Sequence, residues 1–171
     1  MDTEVAESKT AVDGELWITR VLDAPREAVW SAWTDPELVK RWWGGGNWTV
    51  PTASIDLRVG GNYHICMRSP EGQEVWSTGV FREVVAPERL VMTDSFADEQ
   101  GKVVPGSHYG MSADWPLELE FVVTLEAEGD RTKLTLHYLK FPGGDDAAMA
   151  YEGWNESFDK LAKVVEAIRI P

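Results

Sequence analysis

Near the end of the chain Trp154, Phe158, Leu161, Val165 and Ile168 step by 4, 3, 4 and 3 residues. That spacing lays large apolar side chains along one face of a helix of about twenty residues, and such a face has to be covered by a second layer. Pro142-Gly143-Gly144-Asp145-Asp146 introduces the helix, where either Asp is expected to cap it, its charge suiting the positive end of the helix dipole. The rest of the chain must therefore supply an apolar surface long enough to receive this stripe.

The segment before the helix reads as that surface. From Val50 to Tyr138, β-forming runs alternate with turn signals. The expected strands cover Ser54 to Arg58, Asn62 to Arg68, Glu74 to Val85, Arg89 to Phe96, Leu117 to Leu125 and Thr132 to Leu139. In the fifth, Leu117, Leu119, Phe121, Val123 and Leu125 alternate with Glu118, Glu120 and Thr124, which is the pattern of a strand with one wet face. An earlier strand begins near Glu15 and runs to Leu22. Asp23-Ala24-Pro25 stops it and opens a short helix carrying Val29, Trp30 and Trp33. Thr34-Asp35-Pro36-Glu37 offers the cap and proline start of a second short helix, which carries Leu38, Val39, Trp42 and Trp43 and ends at Gly44-Gly45-Gly46. Strand, two short helices, an antiparallel series of about six strands, then one long helix make the class α+β. Residues 97–116 are an irregular connection long enough to act as a lid.

The 171 residues suit one domain, expected over residues 15–171, with residues 1–14 as a flexible acidic tail. A net charge of −13 leaves no broad basic surface for nucleic-acid phosphates or an anionic bilayer. The single cysteine, Cys66, and the lack of a secretory or membrane-spanning run point to a cytoplasmic location.

Nine tryptophans must be buried or must line something. One helix covers only part of a curved sheet, so a pocket between the two is expected, with a small hydrophobic or amphipathic ligand as its partner. The candidate lining is Tyr63, Met67, Trp76, Phe81, Met92, Phe121, Tyr151, Trp154 and Phe158, each of which could equally be core. Trp42 and Trp43 either gate one end or, with Trp48, form a homodimer interface, leaving monomer and dimer both open. Asp56 and Arg58, two apart on a strand, share a face and pair either at the pocket mouth or as a structural bridge. Arg20, amid apolar neighbours, has to be paired or wet. Gly153 costs its helix about 1 kcal/mol relative to alanine, a cost that a close backbone approach could justify.

No motif assigns chemistry. Gly44-Gly45-Gly46 lacks the Lys-Ser/Thr of a phosphate-binding loop, and Ser107-His108 near Asp114 lacks a nucleophile elbow. His64, His108 and His137 have no metal-ligand spacing, and Cys66 reads as an inert apolar group on a strand. No catalytic residue, metal or cofactor is expected. Were acid/base chemistry to occur, an acid inside the pocket such as Asp56 or Asp94 would carry it.

The opening Ile18-Thr19-Arg20, Asp23-Ala24-Pro25-Arg26-Glu27-Ala28-Val29-Trp30, Ala32-Trp33-Thr34-Asp35-Pro36-Glu37 and Lys40-Arg41-Trp42-Trp43-Gly44 closely resembles that of the activator of heat shock protein 90 ATPase homologue family. Asp56-Leu57-Arg58-Val59-Gly60-Gly61, Pro70-Glu71-Gly72, Gly79-Val80-Phe81-Arg82-Glu83-Val84, Pro87-Glu88-Arg89-Leu90, Thr132-Lys133-Leu134-Thr135-Leu136 and Gly153-Trp154 with Leu161 follow in the family's order, so the likeness runs from about residue 15 to 168. It implies the START-like (SRPBCC) helix-grip fold, a curved antiparallel sheet of about six to seven strands wrapped around the C-terminal helix. It also implies a hydrophobic ligand between helix and sheet. Stand-alone members mostly lack an assigned activity, and a cyclase- or aromatase-like enzyme using the same cavity is a second implication. A chaperone partner and a role in stress response are a third, although this chain has only a short acidic tail where the eukaryotic-type co-chaperone carries a separate docking domain.

Overall fold

The computed structural model describes residues 8–12 and 14–168. Eight strands form one antiparallel sheet: β1 Ser8–Val12, β2 Glu15–Leu22, β3 Thr49–Ile55, β4 Asn62–Arg68, β5 Glu74–Val85, β6 Arg89–Ala97, β7 Leu119–Glu128 and β8 Arg131–Tyr138. Their order across the sheet is β1-β2-β8-β7-β6-β5-β4-β3. Helices α1 Arg26–Thr34 and α2 Pro36–Trp42 link β2 to β3 at the far side of the sheet, and α3 Asp145–Ala167 closes the described chain. This is the START-like α+β arrangement.

Parity explains which face meets the helices. In β7 Leu119, Phe121, Val123 and Leu125 are buried, and in β8 Leu134, Leu136 and Tyr138 are buried, with the polar residues between them on the other face. Leu16, Ile18 and Leu22 of β2 continue that face. Phe158, Leu161, Val164 and Val165 of α3 press onto it. Arg20 meets the requirement set by its neighbours: its guanidinium donates to the Asn155 carbonyl at 3.2 Å and pairs with Asp159, tying β2 to α3.

The structure corrects several expectations. Ser8–Val12 had read as tail because its residues carry no apolar period, yet it pairs with β2, which raises the strand count to eight. Residues 1–7 and 13 of that expected tail lie outside the described residues. The third strand covers Thr49–Ile55 and stops before Asp56 and Arg58. The N-cap of α3 is Gly144, in a backbone conformation with φ of 89°, and Asp145 and Asp146 stand in the first turn without capping it. Asp35, by contrast, caps α2 by accepting from the Glu37 N–H at 2.9 Å. Residues 97–116 include a short 3-10 turn at Gly106–Tyr109. Tyr109 pins that turn to the sheet, donating to the Ala97 carbonyl at 2.6 Å and accepting from the Trp76 N–H at 3.3 Å.

Candidate functional site

The two halves of α3 behave differently. Its C-terminal half packs solidly on the sheet, whereas its N-terminal half stands off from it and leaves a cleft of about 430 Å³. One wall is the helix from Asp146 to Ser157. The floor is the inner face of β4 to β6 with Tyr138 of β8, and the remaining sides come from the turn after α2 and from Met111, Trp115 and Phe141 in the loops. Met149, on the rim, is 64% exposed, so the cleft reaches solvent.

Three elements hold these walls apart. Lys160 donates from Nζ to the carbonyls of Gly44 at 2.7 Å and Trp48 at 3.0 Å, binding the glycine turn to α3, and burial pushes its ammonium pKa down. Gly45 is required there, since a Cβ would come within 2.8 Å of the Gly153 carbonyl oxygen. At the other end, Asp146 Oδ2 accepts from the Ser112 N–H at 2.9 Å and joins the loop wall to the first turn of α3.

A polar relay crosses the floor. Trp154 Nε1 donates to the Tyr138 hydroxyl at 3.2 Å, and because an indole N–H can only donate, the Tyr138 O–H is free to point at Asp94 Oδ2, 2.7 Å away. Tyr63 donates to the Thr93 carbonyl at 3.0 Å and stands 3.5 Å from Asp94 Oδ1. Burial pushes the Asp94 carboxyl above the usual carboxylate range, although hydrogen bonds from Tyr138 and Tyr63 pull it down. Burial first, and then the nearby Asp94 charge, hold both tyrosines well above the ordinary phenol value.

A carboxyl raised in the folded state contributes stability below its unfolded pKa and loses it as the pH rises through the folded value. Asp94→Asn removes that loss, and its amide fits, the oxygen accepting from Tyr138 and the nitrogen donating to the Tyr63 oxygen. The Tm of the variant relative to wild type should therefore be higher at about pH 7 than at about pH 3, below the ordinary carboxylate pKa. Thermal melts at the two pH values check this, and an unchanged difference rules it out.

Of the residues proposed from sequence, Trp43, Met67 and Trp154 border the cleft. The others do not. Trp42, Phe81, Met92, Phe121 and Phe158 are buried in the core, where strand and helix parity points them at other apolar side chains. Tyr63 is buried behind the floor, its ring between Trp43 and Phe81, and reaches the site through its hydroxyl. Trp76 stacks on His64 with ring centres 4.6 Å apart, one residue out of phase with Ser77, which borders the cleft. Tyr151 is half-buried and packs on the core. Asp56 and Arg58 do pair, at 2.9 Å, but in the exposed turn after β3, since the strand has ended. With Trp42 fully buried and Trp43 9% exposed, neither presents a surface for a dimer. Sequence reasoning missed Ser77, Met111, Trp115, Tyr138 and Phe141. Asp94, weighed for chemistry alone, carried a readable signal: an acid in the β-run that opens with the apolar Leu90-Val91-Met92 and ends at Phe96.

Similarity to known proteins agrees with this geometry. The crystal structure of a protein from Chromobacterium violaceum has a TM-score of 0.73 at 26% identity, covering 91% of this chain and 99% of that one. A solution structure from Arthrobacter aurescens gives 0.74 at 26%, covering 95% and 91%. That of an AHSA1-like protein from Aeromonas hydrophila gives 0.65 at 25%, covering 90% and 94%. No curated protein matches the chain. No helix among the described residues is long and apolar enough to cross a membrane. The fold and family fit a ligand-binding or co-chaperone-like module. The family model described as Activator of Hsp90 ATPase homolog 1-like protein matches residues 23–166, from the end of β2 to the last turn of α3, and the chain belongs to that family.

Proposed function

We propose that the protein binds a small hydrophobic or amphipathic molecule in the cleft between the N-terminal half of α3 and the sheet. The observation that carries the reading is the open space itself, about 430 Å³ walled by Trp43, Trp115, Phe96 and Trp154. That is a ligand-sized volume with mostly apolar walls and a few placed polar groups. Cys66, buried and free, suits a reducing compartment such as the cytoplasm. A cyclase-like enzyme is the second reading, favoured by the Asp94–Tyr138 pair at the floor. A chaperone partner draws its support from the family alone.

Titration with the neutral fluorescent probe N-phenylnaphthylamine tests the first reading. Wild type should bind it saturably at one site, and Trp154→Ala should weaken binding by about tenfold, equivalent to about 1.4 kcal/mol. Trp154 also touches the core, so Gly153→Leu is the cleaner variant. Gly153 borders the cleft and a Cβ there meets nothing within 4 Å, so the leucine side chain starts from open space. It should bind the probe at least about tenfold more weakly while melting no lower than wild type. Absence of saturable binding to wild type, or undiminished binding to Gly153→Leu, overturns the proposal.

A further inference from the structure

The cleft is selective in charge. Among the described residues that border it, Asp94, Asp146, Glu152 and Glu156 are acidic and none is Lys, Arg or His. Lys160, the nearest basic group bridging the same walls, is committed to two backbone carbonyls. Asp146 is engaged by the Ser112 N–H at the rim, and Glu152 and Glu156 are exposed. Asp94 is the acid set in the floor.

An independent observation marks the same spot. Ser77 borders the cleft at 8% exposure, and its Oγ has no hydrogen-bond partner. A buried hydroxyl left unpaired is costly, and rotation about χ1 turns this one, closed off from the cleft as it stands, towards a donor on a bound molecule. The register places Ser77 opposite Phe96, two residues along β6 from Asp94. Ser77 and Asp94 are therefore diagonal neighbours on one face, with backbones about 7 Å apart. With Ser77 so rotated, one nitrogen between them can donate to both, at about 2.9 Å each. Asp94 already accepts from Tyr138, which leaves lone pairs on the carboxylate pointing elsewhere. Around this position the indoles of Trp43, Trp115 and Trp154 border the space, and an indole face turned to the nitrogen favours a cation over an anion.

We propose that the ligand of this cleft is an arylalkyl or alkyl ammonium, its nitrogen held between Asp94 and Ser77 and its apolar body among the tryptophans. This rests on the cleft being a ligand site at all. A fatty acid or another anionic amphiphile is disfavoured by the same geometry. Its carboxylate would be buried beside Asp94 with no cation to offset it, and the net charge of −13 repels it on approach.

Calorimetric titration of wild type with three molecules sharing one apolar body separates the possibilities: naphthylmethylammonium, naphthalenemethanol and naphthoate. The ammonium should bind at least about tenfold tighter than naphthoate, with the alcohol between them. Asp94→Asn should bring the ammonium within about threefold of the alcohol, and Ser77→Ala should weaken the ammonium by about threefold to tenfold. The ranking on wild type needs no variant, so it stands even if a substitution fails to fold. Should N-phenylnaphthylamine bind while naphthoate equals or exceeds the ammonium, the charge selectivity is wrong and the cleft reading survives. If neither the probe nor any of the three binds, both fall together.

Discussion

Gly79→Ala should lower the Tm by about 10 °C or abolish soluble expression, whereas Gly153→Ala, the same substitution in α3, should leave the Tm unchanged or raise it. A Cβ at Gly79 would lie 1.9 Å from the Thr93 carbonyl oxygen and 2.5 Å from Cε2 of Tyr63. Neither atom can retreat. Between the pairs Thr78↔Ser95 and Phe81↔Met92 the backbone ladder opens, and the Val80 N–H is satisfied by the Thr93 hydroxyl at 2.8 Å. The Thr93 carbonyl in turn accepts from Tyr63, whose ring is fully buried. Inserting a methyl group forces that carbonyl aside, strands the Tyr63 hydroxyl and displaces Asp94. Overpacking with loss of a buried hydrogen bond costs about 3 kcal/mol or more, a large share of the 5–15 kcal/mol typical of a domain, and about 3 °C is lost per kcal/mol at this size. At Gly153 the added Cβ meets open space, and the helix gains up to about 1 kcal/mol from losing its glycine. Equal Tm values for the two variants would falsify the close approach at Gly79 and the void at Gly153 together.

The contrast also answers what the sequence left open about Gly153. Its own Cβ position touches neither sheet nor backbone, so close approach does not explain it. Its carbonyl is the surface that Gly45 comes near, and its missing side chain is cleft volume. Periodicity can place a glycine in a helix but is silent on what lies beyond it. The same limit separates the fold from the site. The stripe Phe158, Leu161 and Val165, and the alternation in β7, were readable because burial repeats at the period of the element itself. Ser8–Val12 was not, since an edge strand borrows its order from one neighbour and needs no apolar face of its own. For the cleft, residue type was the only guide, and Phe81, Met92 and Phe121 are chemically as good a lining as Phe96. What divides them is position along the sheet: Met92 shares the parity of Asp94 and Phe96 on β6 yet is core, and only cross-strand pairing says where the helix stands off. Met111 and Trp115 sit in a segment without any period, so nothing short of the fold could bring them to the wall.

Two adjacent tryptophans make that division measurable. Trp42→Ala should destabilise the protein by about 3–5 kcal/mol, as removal of a fully buried Trp does, and probe binding should fall only as far as the fold does. Trp43→Ala should cost less stability and weaken N-phenylnaphthylamine by about tenfold or more. The reason lies in what each ring touches. Trp42 Nε1 donates to the Ala32 carbonyl at 2.8 Å, and Ala32 is in the last turn of α1, where carbonyls lack an intrahelical partner. Its ring meets Trp33 edge-on at 4.8 Å and Phe158 at 6.2 Å, both core residues, so it fastens α1 to α2 and α3 without reaching the cleft. Trp43, one residue on and past the end of α2, turns towards Trp154 at 5.3 Å and borders the open space. Trp42→Phe isolates the polar component, since most of the ring is kept while the Ala32 carbonyl is left unpaired, at about 1–3 kcal/mol. Denaturant melts paired with probe titrations read both quantities on one set of samples. If Trp42→Ala melted like wild type yet lost the probe, Trp42 would belong to the cleft, and the boundary drawn between core and site would have to move.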